Sequence, residues 1–211
     1  MGEPLANLPN LLPALSLASQ PEGLGISPRR ITISTVGLPA AMHRLVDSGV
    51  SYNLAVSLHA ANDALRDQLV PVNAKAGLTA ILTAADAYFN ASGRRLTYEY
   101  VLLGGVNDRR CDALELARIL SGRPALLNLI PYNPVAGLPY MTPTHASVET
   151  FCSLLEQQGI NIQIRRRKGS RIDAACGQLR RSRAGESEPS EPDMISPDVI
   201  TPQDLTSPDG D

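Results

Sequence analysis

The stretch "NLAVSLHAANDALRDQLVPVNAKAGLTAILTAADAYFNASGRRLTYEYVLL", residues 53 to 103, decides the fold class. It opens on a short apolar run (53 to 58) and closes on a β-branched and aromatic run (96 to 103), and both read as strands. Between them, residues 78 to 91 repeat apolar side chains every three and four positions, the period of a helix. A strand, a helix and a strand in that order imply a right-handed crossover between parallel neighbours. Working outward, 31 to 36 (ITISTV), 126 to 130 (LLNLI) and 160 to 165 (INIQIR) read as further strands. The segments 8 to 19, 39 to 48, 109 to 121 and 144 to 158 read as further helices. Gly49, Gly93, Gly122 and Gly159 stand where four of these helices should stop, and Asp108 and Thr144 where two should be capped. The pattern predicts an α/β fold with a parallel sheet, either closed into a barrel or open.

The composition excludes some classes. A hydrophobic fraction of 43% and a charged fraction of 19% describe a globular chain, and no apolar run approaches the roughly 18 residues that span a bilayer. The first residues have no basic segment ahead of an apolar core, so a cytoplasmic address is expected. Three cysteines, Cys111, Cys152 and Cys176, form neither a disulfide framework nor a metal knuckle by spacing. The net charge of -2 hides a division. Residues 182 to 211 hold eight acidic side chains against Arg183 alone, leaving 18 basic and 13 acidic residues in the 181 before them. That Pro- and Ser-rich acidic end has no sustained apolar period and is expected to be a disordered tail, outside a folded body of residues 1 to 181.

In a parallel fold, ligands meet the carboxyl ends of the strands. The groups there are Ser34, the loop Ser57-Leu58-His59, the "GGVND" turn at 104 to 108, Asn133 and the run from Arg165 to Cys176. His59 can bond a ligand or a backbone carbonyl. Glu3, beside Pro4, can accept from a ligand amine or charge the first turn of the following helix. Asn133 precedes Pro134 and suits a ligand contact or a turn equally. Arg165, Arg166, Arg167, Lys168 and Arg171 begin inside a strand and continue past its end, a placement that suits phosphate contact more than a merely solvated face. Cys176, among small residues and near these cations, is either a buried structural thiol or a reactive one.

Taken together, "MGEP" (1 to 4), "RRITISTVG" (29 to 37), "AVSLHAANDALRDQLVPVN" (55 to 73), "TYEYVLLGGVND" (97 to 108), "NLIPYNP" (128 to 134) and "RRRKGSRIDAACGQL" (165 to 179) resemble one family. It is the radical S-adenosylmethionine RNA methyltransferases that methylate adenine at C2 in 23S ribosomal RNA, and in bacteria often in transfer RNA. The resemblance covers about residues 1 to 180 and implies a partial TIM-type (β/α) barrel. It implies that Gly2, Glu3, Ser34, Ser57, Leu58, His59 and Asn133 contact S-adenosyl-L-methionine. It implies that Cys176 becomes an S-methylcysteine intermediate, whose carbon attacks adenine after losing hydrogen to a radical from a second cofactor molecule. Arg165, Arg166, Arg167, Lys168 and Arg171 would face the RNA.

The resemblance has a gap. The family's CxxxCxxC motif, which holds a 4Fe-4S cluster upstream of "MGEP", is absent from this sequence, so no metal ligand is expected in the chain. A barrel truncated at its N-terminus is therefore expected: a fragment inert alone, or half of a split enzyme whose N-terminal half is a separate chain. Two other readings stay open: an adenine-C8 methyltransferase on the same scaffold, and a non-enzymatic RNA-binding remnant.

Overall fold

The computed structural model describes residues 2–135 and 137–165. The acidic end, Arg166, Arg167, Lys168, Arg171 and Cys176 lie outside the described residues.

Among the described residues five strands form one parallel sheet: β1 (Thr32–Thr35), β2 (Asn53–Ser57), β3 (Leu96–Leu102), β4 (Ala125–Pro131) and β5 (Ile162–Ile164). Six helices accompany them in the same described residues: α1 (Leu8–Ser19), α2 (Pro39–Asp47), α3 (Asp63–Leu69), α4 (Leu78–Ser92), α5 (Arg110–Leu120) and α6 (His145–Gln157). Short 3-10 turns stand at Pro4–Asn7, Pro28–Arg30 and Pro71–Lys75.

The spatial order is the sequence order, β1-β2-β3-β4-β5. Right-handed crossovers between successive neighbours put every connecting helix on the same face of the sheet, the winding of a (β/α) barrel and not of a doubly wound sheet. Burial along β3 shows the two faces. Leu96, Tyr98, Tyr100 and Leu102 are buried against the helices, while the alternate residues Thr97, Glu99 and Val101 are only half-buried. The expected partial barrel is therefore seen as five parallel strands with one helical layer and an open face.

The core is continuous from α1 to α6. Tyr88 of α4 sets the spacing to β2: its hydroxyl donates to the Tyr52 carbonyl at 2.7 Å and accepts the Tyr52 N–H at 3.1 Å. Gly37 lies where α4 approaches the end of β1. A Cβ there would stand 2.7 Å from the Ile81 methyl, on a backbone with φ of 91° that side chains avoid.

The strands and long helices match expectation within a few residues. Thr144 caps α6 by accepting the Ser147 N–H at 3.1 Å, and the four stop glycines all have positive φ. Asp108 is not an N-cap; that position belongs to Arg109, whose N–H is taken by Asp112. The Asp108 carboxylate instead accepts the Gly105 N–H at 2.8 Å and the Ser147 hydroxyl at 2.6 Å, pinning the turn after β3 to α6. Helix α3 is an addition, capped by Asn62 through the Leu65 N–H.

Candidate functional site at the carboxyl ends of the strands

Three of the five strand ends are laced together by side chains. The first is Glu3, which enters just before the Pro4–Asn7 turn. Its Oε1 accepts the Leu5 N–H at 3.0 Å and its Oε2 the Val36 N–H at 2.8 Å. The carboxylate thus charges the first turn after it and also fastens the incoming chain to the end of β1. Gly2 beside it is exposed.

The second lace is Arg66 of α3, which is completely buried. Its Nη2 donates to the carbonyls of Val36 (2.6 Å) and Ser57 (2.7 Å), and its Nε to that of Leu58 (2.9 Å). Its Nη1 bonds Asn73 Oδ1. Asn73 in turn donates to Asp63 (2.9 Å) and Asp67 (2.6 Å), which set two carboxylates behind the guanidinium. Burial lowers the arginine's pKa to about 10, with Asp63 and then Asp67 opposing the shift, so the side chain stays charged near neutrality.

The third is the loop Ser57-Leu58-His59. The Leu58 N–H donates to the Glu99 carbonyl at 2.9 Å, which continues the ladder past β2. His59 then takes φ of 62°, left-handed for a residue that is not glycine, and this turn brings its ring back over β3. Its Nδ1 accepts the Val101 N–H at 3.2 Å and its carbonyl accepts from Asn107 at 2.8 Å. Burial, and then the nearby Arg66 charge, lower its pKa to about 4. The ring is therefore neutral at pH 7, with Nδ1 as acceptor and the proton on Nε2, a donor with no hydrogen bond among the described residues.

A stability prediction arises here. The folded pKa lies below the unfolded value, so His59 contributes its full share above pH 6.5, and that share is lost as pH falls from 6.5 through about 4. With an allowance for the partly exposed ring, the loss is on the order of 2 kcal/mol. Urea unfolding across this window should show a steeper acid decline for the native chain than for His59→Gln. Parallel declines would contradict it.

Ser34 sits on the open face of β1, exposed, paired in register with Ala55. Asn133 is half-buried just beyond β4 and makes no hydrogen bond to Glu3, Arg66 or His59. Arg165 follows β5; its N–H donates to the Leu129 carbonyl at 2.9 Å, and its charge reaches Glu99. Thus Glu3, Ser57, Leu58 and His59 are brought together, with Ser34, Asn133 and Arg165 around them on the same sheet.

Sequence reasoning missed Arg66, Asn73, Asn107, Glu99 and Asn128 as members of this assembly. Nothing local to Asp63, Arg66 and Asp67 marks the arginine as buried. Asn107 stood in the "GGVND" turn and could have been singled out as the one amide there.

A cavity of about 480 Å³ opens at the opposite, amino ends of β3 and β4, lined in part by Arg95, Tyr98, Arg123 and Asn161. The buried Tyr98 hydroxyl lacks a hydrogen-bond partner among the described residues. None of the strand-end groups reaches this cavity, so the site is taken from the laced carboxyl ends.

Among the described residues no three His, Cys, Asp or Glu side chains come close enough to hold a metal ion. Cys111 is exposed on α5, and Cys152 is buried on α6 with its thiol pushed up to about 11 by burial, so these two do not fit a cluster. S-adenosylmethionine suits the donor set better. The His59 Nε2 proton and the Asn133 amide are donors for a carboxylate, and Ser34, Ser57 and Glu99 are acceptors on the open face.

No protein-family model matches the chain. It is 63% identical over 183 residues to the probable dual-specificity RNA methyltransferase RlmN of Rhodopirellula baltica, covering 87% of this chain and 49% of that protein. The protein of the same name from Symbiobacterium thermophilum is 50% identical over 180 residues, 85% of this chain and 48% of its own. Among solved structures, a radical SAM methyltransferase from Sphaerobacter thermophilus superposes with a TM-score of 0.80 at 41% identity, over 84% of this chain and 52% of that one. A domain of pyruvate-formate lyase-activating enzyme from Bacteroides vulgatus shares the fold, with a TM-score of 0.61 at 18% identity. The chain spans about half the length of the curated relatives it matches.

Proposed function

We propose that the chain belongs to the dual-specificity RNA methyltransferases its relatives are named for, and that it supplies the cofactor-holding strand ends and the RNA-facing segment of an enzyme that methylates C2 of adenine. The substrates in this proposal are 23S ribosomal RNA and transfer RNA, modified in the cytoplasm. The observation that carries it is the meeting of Glu3, Ser57, Leu58 and His59 at adjoining strand ends. These are the positions at which the sequence resembles the family's cofactor contacts.

S-adenosylmethionine, when bound, supplies the methyl group and, together with the family's 4Fe-4S cluster, the radical chemistry that an electron-poor adenine carbon requires. This chain's own residues hold and orient. His59, neutral and turned over β3, offers its Nε2 proton to the methionine carboxylate. Glu3 spends both oxygens on backbone N–H groups, yet each carboxylate oxygen has a second lone pair for the methionine ammonium. Ser34, Ser57 and Asn133 border the same face. Arg165, with Arg166, Arg167, Lys168 and Arg171 after it, would take the phosphates, and Cys176 would carry the methyl group as S-methylcysteine.

The test is co-expression of this chain with the complementary half of the Rhodopirellula baltica relative, in a bacterium lacking its own adenine-C2 methylation. Mass spectrometry of digested ribosomal and transfer RNA should find 2-methyladenosine. 8-Methyladenosine in its place would transfer the assignment to C8. Neither product, with RNA still retained by the chain, would leave an RNA-binding remnant.

A further inference from the structure

The open face of the sheet carries a polar row of which the strand-end hydrogen bonds described above use only backbone carbonyls. Register places Ser57 beside Glu99, and Glu99 beside Asn128, on three successive strands. All three have the parity of the open face, since Tyr98 and Tyr100 on either side of Glu99 point into the helical layer. Neighbouring strands are about 4.8 Å apart, so these side chains form one continuous polar strip.

Within it Glu99 is fixed. Asn128 Nδ2 donates to its Oε2 at 2.8 Å, while Oε1 makes no hydrogen bond among the described residues. Burial raises its pKa, opposed first by the Asn128 hydrogen bond and then by the charge of Arg165. Among the described residues Glu99 forms no ion pair, so a half-buried carboxylate is held in place with one oxygen unengaged. Its own backbone carbonyl accepts the Leu58 N–H, which ties it directly to the Ser57-Leu58-His59 loop.

A rigid carboxylate with free lone pairs matches two adjacent hydroxyl donors. A vicinal ribose diol is met in this way by the acidic residue of dinucleotide-binding folds. We propose that Glu99, held by Asn128, accepts the hydrogen bonds of the ribose 2′- and 3′-hydroxyls of the nucleoside cofactor, which rests on the reading that this face binds S-adenosylmethionine. Ser57, next in the row, then lies on the side of the ribose that leads to His59, and Asn128 is a positioning residue.

Calorimetric titration of the full chain tests it, with S-adenosylmethionine and its 2′-deoxy analogue, at concentrations that resolve millimolar dissociation constants. Glu99→Gln should weaken S-adenosylmethionine roughly ten- to hundred-fold, the worth of hydrogen bonds to a charged acceptor. The analogue should bind the native chain more weakly and lose much less on the same substitution. Glu99→Asp, which withdraws the carboxylate by one methylene, is a second variant expected to lose a similar factor. Equal binding of S-adenosylmethionine by native and variant chains would overturn the diol contact alone. So would an equal loss for both ligands, which would place the carboxylate elsewhere on the cofactor. No binding by the native chain would overturn the cofactor reading itself, and the diol contact with it.

Discussion

Replacing Arg66 by methionine is expected to lower the unfolding free energy by about 3–5 kcal/mol, the usual cost of removing one partner from a buried charged network. Methionine fills much of the same volume, so the loss reports the guanidinium and not a cavity. Three backbone carbonyls, those of Val36, Ser57 and Leu58, would be left without this donor, and Asn73 would lose its cationic partner while still facing Asp63 and Asp67. Lysine keeps a charge but places a point donor where a planar fork bonds four acceptors, so Arg66→Lys should recover less than half of the loss. Urea unfolding of the native chain and the two variants measures both numbers. A loss below about 1 kcal/mol for methionine would mean that water or a shifted Asn73 satisfies the carbonyls, and that the fork is not what fixes the Ser57-Leu58-His59 loop.

Why this residue escaped notice in the sequence is physical. Strands announce themselves locally, because β-branched runs such as ITISTV and alternation such as LTYEYVLL are properties of a few consecutive residues. The sequential order of the sheet was also within reach, since short helical crossovers favour neighbouring parallel strands. Barrel and open sheet, however, differ only in which face the helices cover, and that is settled by crossovers acting together. The two-turn α3 was too short to show a period. The burial of Arg66 depends on carbonyls 8, 9 and 30 positions away, brought to one point only when β1 and β2 have paired. Asp108 misled for a related reason: a residue suited to a cap was recruited by Ser147, 39 positions on. Of the site, the strand-end positions were legible because the chemistry of parallel sheets says where to look. The residues that hold those positions were not.

Asn107 closes the site from the β3 side, and its loss should be nearly as costly as that of Arg66. The amide is fully buried. Its Oδ1 accepts the Leu103 N–H at 2.7 Å, and its Nδ2 donates to the carbonyls of His59 and Val101, both at 2.8 Å. Every polar atom of the side chain is thus engaged with backbone, and its own carbonyl accepts the Tyr100 hydroxyl at 3.0 Å. Asn107→Ala strands three buried backbone groups, each worth about 1–3 kcal/mol when unmet, and a total near 3 kcal/mol is expected after partial rehydration. Asn107→Asp makes a sharper test because it preserves shape. The ionised carboxylate would still accept from Leu103 but would face two carbonyls it cannot donate to, whereas the protonated acid could donate to one of them. Burial raises the pKa of such a carboxyl, so its protonated form is favoured in the folded state and the deficit grows as pH rises through the carboxylate range. Asn107→Asp should therefore fall further below the native chain at pH 8 than at pH 5, while Asn107→Ala keeps a constant deficit. A pH-independent gap for both variants would show that the amide packs without donating. In that case the left-handed backbone of His59 must be held by the Val101 N–H and the Leu58 ladder alone.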